Sequence, residues 1–202
     1  DLVYHLRAMS GAELEVVVTD DPKAVQAPAV VIGALANRMG AAPSLKEDPS
    51  NEAFRVKTSD GRVLIGGSSD FGASHGIYAV LERLGCAWVM PGEEGEIIPK
   101  TTTVTVPEMD VQETPAFGQR DVWYGSLPTD RQWRELHLWA LRQKANIWGA
   151  NRRYGFSAGS HAWGAIIRQF KKEFEEHPEM MGLIQKPDGT MARGGGQLES
   201  TH

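Results

Sequence analysis

Cysteine is nearly absent from the sequence, and the one that occurs, Cys86, excludes any intrachain disulfide. Set between Gly85 and Ala87, it reads as a small buried filler rather than a nucleophile. Long apolar runs are missing too. The longest, Pro28 to Ile32, has the length of a strand and falls far short of the ~20 residues that span a bilayer, so no membrane span is expected. No run of Lys or Arg builds a basic face. The 21 basic residues are scattered against 26 acidic ones, the formal net charge is −5, and nucleic acid is excluded as a partner on that ground. Among the six histidines there is no HExxH and no other pair at ligand spacing, so neither a transition-metal site nor a cofactor is expected. The oligomeric state is not encoded in any of these features.

What remains is ordinary globular composition, 41% hydrophobic and 23% charged, over 202 residues. That length is short of the ~250 residues of a complete (β/α)8 barrel. Residue 1 falls inside an amphipathic pattern, Leu2, Val3, Leu6 and Met9, that ends at Ser10-Gly11. The natural chain is therefore expected to start earlier, and any signal peptide would lie in that earlier part.

Along the first half, Glu13 to Thr19 with Val16, Val17 and Val18 predicts a strand, and Ala29 to Gly33 predicts another. Ala34 to Asn51 is rich in Ala, Pro and Gly and predicts an irregular excursion. Phe54–Thr58 and Arg62–Gly67 flank Ser59-Asp60-Gly61, and the Asp-Gly step marks a hairpin. Asp70 can cap a helix whose apolar positions Ile77, Val80, Leu81 and Leu84 recur at helical spacing, with Gly85 closing it. Two more short strands are expected between Trp88 and Val106, and Thr101–Val106 is strongly β-forming. Together these predict an α+β domain over residues 1–107, one sheet with helices packed on it, followed by a linker over 108–116.

The second half alternates. Phe117–Tyr124 predicts a strand, and Thr129 caps a helix carrying Trp133, Leu136, Trp139 and Ala140. Ala145–Ala150 predicts a second strand, and an aromatic, Gly-rich loop runs from Asn151 to Trp163. A helix over Ala165–Glu176 and a third strand over Met181–Ile184 complete the order β-α-β-α-β, the opening of a parallel α/β fold.

Several motifs read as structure. Gly66-Gly67 leading through Gly72 and Gly76 into a helix fits neither dinucleotide nor P-loop spacing, which leaves a tight turn and close helix packing. His75 reads as a cap or surface residue. Glu93, Glu94 and Glu96 read as a solvated hairpin tip, and Glu173, Glu175 and Glu176 as the polar side of a helix.

The aromatic and polar group of the second half carries chemistry. Arg120, Asp121, Trp123 and Tyr124 fall at the end of the first α/β strand, Trp148 and Asn151 at the end of the second, and His161 in the loop after it. Sites of parallel α/β folds sit at such strand ends. Apolar sugar faces stack on aromatics, while hydroxyl pairs take bidentate polar groups, so these types together suit a carbohydrate. For Arg120 and Asp121 a structural salt bridge is an equal alternative. Trp133 and Trp139, on a helical stripe, read as core.

Leu64-Ile65-Gly66-Gly67, Gly85-Cys86-Ala87-Trp88-Val89-Met90-Pro91-Gly92, Gly95-Glu96-Ile97-Ile98-Pro99 and Pro115-Ala116-Phe117-Gly118-Gln119-Arg120-Asp121 give the chain a family resemblance. In this order, and continuing through His177-Pro178-Glu179 and Gly196-Gln197-Leu198, it resembles the bacterial DUF4838 family of proposed glycoside hydrolases. Its first domain is similar to the small α+β domain preceding the barrel in α-glucuronidases and β-N-acetylhexosaminidases. The resemblance implies a truncated (β/α)8 TIM barrel over residues 117–202, of which the first three strands are present. It also implies that the paired catalytic carboxylates come from later strands, beyond His202. Pro115, Phe117 and Arg120 match a hexosaminidase segment whose Arg holds sugar hydroxyls, which makes Arg120 the first choice for a substrate contact. Lys144-Ala145-Asn146 resembles that family's second-strand pattern, without the His that follows it there.

The expected function is thus the N-terminal portion of a secreted or periplasmic glycoside hydrolase, inactive by itself, with Arg120, Asp121, Trp123, Trp148, Asn151 and His161 contacting the sugar. A non-catalytic carbohydrate-binding or scaffold module is the alternative.

Overall fold

A computed structural model describes residues 1–44, 48, 50–120, 129–146 and 163–198. The protein is mixed α/β, and its chain divides into two compact units, Asp1–Tyr154 and Gly155–His202.

The first unit opens with helix α1 (Leu2–Ser10), which ends where Ser10-Gly11 predicts: Gly11 takes the left-handed conformation at φ 76° and its N–H caps Arg7 O. The predicted strand over Glu13–Thr19 does not form. Val16, Val17 and Val18 have strand propensity but no pairing edge, and they stand 72%, 66% and 98% exposed. Strand β1 (Ala29–Ile32) follows, then α2 (Ala34–Ala36), which runs into a helical turn over Asn37–Ala41. Strands β2 (Phe54–Ser59) and β3 (Arg62–Gly67) make the expected hairpin. Asp60 and Gly61 sit at φ 50° and 72°, the two positive values that a tight turn of matching twist needs, and Ser59 pairs with Arg62.

Helix α3 (Asp70–Arg83) is capped by Ser69, one residue before the predicted cap, and Asp70 lies in its first turn. Two-residue strands β4 (Ala87–Trp88) and β5 (Glu96–Ile97) pair antiparallel. The β-forming run Thr101–Val106 is not a strand. Instead β6 (Asp110–Glu113) forms inside the predicted linker 108–116, pairing antiparallel with β2 from Phe54↔Glu113 to Lys57↔Asp110. The correction has a local cause. Arg55 of β2 binds the Asp110 carboxylate through both Nε and Nη2, at 2.7 and 2.8 Å, and fixes this register where apolar patterning gives no signal.

The sheet order is β1-β3-β2-β6, with β1 parallel to β3 and the rest antiparallel. Its centre is buried on both faces, which is why Leu64-Ile65 reads as a continuous apolar run. Leu64 packs with Val31, Leu35, Ala36 and Ala41 on one face; Ile65, Phe54 and Val56 pack with Ala79 and Val80 of α3 on the other. The glycine motif serves this packing. A Cβ on Gly67 would lie 2.2 Å from Ala73 N, and one on Gly76 would lie 2.6 Å from Ile65 Cγ2, so both admit α3 close to the sheet.

Helix α4 (Asp130–Arg142) is capped by the Thr129 hydroxyl as predicted. Its Trp139 belongs to the core as expected, packing with Met9, Tyr78, Leu81, Cys86 and Trp88 and donating its indole N–H to the Trp88 carbonyl at 2.8 Å. No described helix is long and apolar enough to cross a membrane.

In the second unit the predicted helix Ala165–Glu176 is divided at Phe170 into α5 (Trp163–Gln169) and α6 (Lys171–Glu176). Ion pairs Lys171–Glu175 and Lys172–Glu176 line its polar side. The third predicted strand exists as β7 (Met181–Gln185), but it pairs antiparallel with β8 (Met191–Leu198), and no parallel partner for it occurs among the described residues. The reason lies in Pro187-Asp188-Gly189: Lys186 N–H reaches the Thr190 carbonyl at 2.8 Å, Gly189 stands at φ 83°, and the chain reverses locally.

Candidate functional site

Arg120 is the predicted sugar contact that the described residues include; Asp121, Trp123, Tyr124, Trp148, Asn151 and His161 lie outside them. Phe117–Arg120 is irregular chain, with Phe117 72% exposed. The Arg120 guanidinium is held by protein groups on three sides. Nε donates to the Lys144 carbonyl at 2.9 Å, Nη1 to the Phe117 carbonyl at 2.7 Å, and Nη2 to Glu52 Oε2 in an ion pair. Lys144 offers that carbonyl because its backbone turns through φ 56° just after α4, a left-handed conformation unusual for a side-chain-bearing residue.

Asn146 completes the arrangement. Its N–H donates to Arg120 O at 2.9 Å while its Oδ1 accepts the Arg120 N–H at 2.8 Å, so the chain before α4 and the chain after it lie side by side. The Asn146 amide also donates to the Gly118 carbonyl at 2.6 Å and to Glu52 Oε1 at 3.4 Å. Glu52, only 7% exposed, thus has one carboxylate oxygen on Arg120 and the other on Asn146.

The backbone of Glu52 is held at its amide end. Its N–H donates to Asp48 Oδ1 at 3.1 Å, and the buried His75 ring lies beside its carbonyl. Burial raises the Asp48 pKa, but hydrogen bonds from the Ala53 and Glu52 N–H groups and from Ser68 and Ser50 outweigh it and leave the pKa lowered. His75 is 1% exposed, contrary to its reading as a cap or surface residue. Burial, against the pull of Glu52, pushes its pKa down to about 4, and its Nε2 has no hydrogen-bond partner among the described residues. The neutral imidazole is therefore the form present near neutral pH.

Glu96, which the sequence places with Glu93 and Glu94 on a solvated tip, instead belongs to a second buried polar cluster. Glu96 accepts from Trp88 Nε1 at 3.1 Å, Arg142 Nη1 lies 3.0 Å from its Oε1, and Tyr4 donates to its other oxygen at 3.1 Å. His5, fully buried, turns Nδ1 to the Asp1 carbonyl at 2.9 Å and Nε2 to Glu96 at 3.1 Å. Both ring nitrogens thus face acceptors, and burial lowers the His5 pKa against the attraction of Glu96. Arg142 lies over the Trp88 ring at 5.3 Å and also binds Asp1, tying α4 to α1 and the β4–β5 pair. Cys86 is buried, and burial raises its thiol pKa, which fits a filler. No group of three or more acidic, His or Cys side chains suited to a metal occurs among the described residues.

Sequence reasoning missed Glu52 and the burial of His75, and with them the network that joins both to Arg120 and Asn146. A signal existed for His75: with Gly72 and Ala79 it falls on one buried stripe of α3. Glu52 had none, because its partners are 68 and 94 residues away. Comparison with protein-family models, with curated proteins and with solved structures finds no match for this chain.

Proposed function

We propose that this chain is the N-terminal portion of a carbohydrate-active enzyme, in which an α+β layer supports the start of a glycosidase (β/α)8 barrel. The observation that carries the reading is the pairing of Arg120 with Asn146. In parallel α/β order a strand, a helix and a second strand bring the chain on either side of the helix together; here the irregular chain on the two sides of α4 meets at these two residues, which supports that reading. The sugar contacts are assigned to Arg120, Asp121, Trp123, Trp148, Asn151 and His161. Arg120 suits two tasks at once: its side chain is 21% exposed, and Nη1 and Nη2 each engage one acceptor among the described residues, leaving an N–H on each for a hydroxyl pair. The acid and base of an oxocarbenium-type hydrolysis are assigned to residues outside these 202, and the resemblance to polysaccharide-degrading enzymes points to an extracytoplasmic location.

The test is titration of the protein with cellohexaose, xylohexaose and chitohexaose, read by tryptophan fluorescence. Saturable quenching is expected with at least one sugar; three flat titrations overturn the carbohydrate reading. Turnover of aryl glycosides by the 202 residues, abolished by replacing one of their own carboxylates, would instead place the acids within this chain.

A further inference from the structure

We infer that Glu52 is the positioning residue of the candidate site, acting from the loop that leads into β2 on the two residues from which the sugar-binding segments depart. The inference rests on the carbohydrate reading for what is positioned and on geometry alone for the positioning. Arg120 precedes the segment with Asp121 and Trp123, and Asn146 precedes the segment with Trp148 and Asn151. One carboxylate holds both, through Arg120 Nη2 on Oε2 and Asn146 Nδ2 on Oε1.

Three features make Glu52 the fixed member of this group. First, it is pinned at its own backbone N–H by Asp48, with the buried His75 beside its carbonyl, and it lies two residues before the first residue of β2. Second, that support is itself built in. Asp48 also takes the Ala53 N–H at 2.8 Å and the Ser68 hydroxyl at 2.7 Å, so the loop is fastened to the end of β3 and the α3 entry. Third, Gly72 has no Cβ where one would come within 2.3 Å of the Ala53 carbonyl, so α3 presses directly on this stretch of backbone. Arg120 and Asn146, by contrast, lie in irregular chain; besides the two bonds between them, Arg120 Nε reaches the Lys144 carbonyl and Asn146 Nδ2 the Gly118 carbonyl, and none of these four bonds runs to the sheet. A buried carboxylate bridging two donors converts their mutual register into a fixed distance from the sheet.

The role is tested with Glu52→Gln, which keeps the shape and removes the charge, and Glu52→Asp, which keeps the charge and shortens the reach. Residue-resolved amide exchange and the three-sugar titration are read on each. The expected result is local: the Arg120 and Asn146 amides exchange about tenfold faster or more while β2 and β3 amides keep their rates, and sugar affinity falls about tenfold. Unchanged exchange at Arg120 and Asn146 in the variants overturns the positioning role. So does uniform acceleration across β2, β3 and α3 in both, which is the signature of general support alone. If the unsubstituted protein binds none of the three sugars, the carbohydrate reading fails, and the exchange pattern still decides the positioning by itself.

Discussion

At the scale of single residues, the buried charges decide most. Removing Arg120 leaves the Glu52 carboxylate, 9% exposed, without its cation, and a half-broken buried pair is worse than none. Arg120→Ala is expected to lower unfolding free energy by about 2–4 kcal/mol, measured by urea denaturation. A loss below about 0.5 kcal/mol would mean the pair is solvated and structurally idle. His75 gives a pH dependence whose sign is fixed by its lowered pKa. The unfolded imidazole, near 6.5, binds its proton before the folded one, near 4, so stability is complete above pH 6.5 and falls as pH drops toward about 4. The full loss is roughly 3 kcal/mol, and His75→Gln should flatten that part of the curve. Stability that holds level from pH 7 to 4 in the unsubstituted protein would contradict a buried neutral His75. The sequence shows part of this, a structural salt bridge as one reading of Arg120 and a helical stripe that carries His75, but Glu52 is one acid in an unpatterned stretch and Glu96 sits in what reads as an exposed turn.

At the scale of elements, what the sequence announces is what local chemistry decides. Helices α1, α3 and α4 and the β2–β3 hairpin follow from caps, periodicity and an Asp-Gly step, all signals within a few residues. Strands whose partners lie far away follow different rules. Val16–Val18 and Thr101–Val106 have the composition and no ladder, whereas Asp110–Glu113 is polar and is drawn into the sheet by Arg55. The same reasoning separates the arms of the second unit: the sequence places β7 correctly, and the turn after it sets its direction. Close packing of α3 makes the tightest element-level prediction. Gly67→Ala puts a methyl onto backbone at Ala73 N and should cost about 1–3 kcal/mol, read as a drop in thermal midpoint. Gly189→Ala, where no atom lies within 4 Å, should cost only the strain of a positive φ, on the order of 1 kcal/mol.

At the scale of the whole molecule, exposed apolar chain and an unshared strand edge set the behaviour in solution. Val16 and Val18 face solvent, and among the described residues β1 is bonded on one side only, to β3. Association that grows with concentration is expected in sedimentation velocity, and Val16→Lys with Val18→Lys should reduce it; identical profiles would clear this segment. The longest connection in the first unit has a further consequence, for the order of assembly. The β2–β3 hairpin needs a turn of two residues, but the Arg142 guanidinium meets the Asp1 carboxylate across 141 positions of sequence. Loop closure of that span is entropically slow, and contacts of such separation come late in folding. As the chain leaves the ribosome, α1 therefore waits for α4, and His5 and Glu96 reach their sealed environment only when nearly all of the first unit has been made.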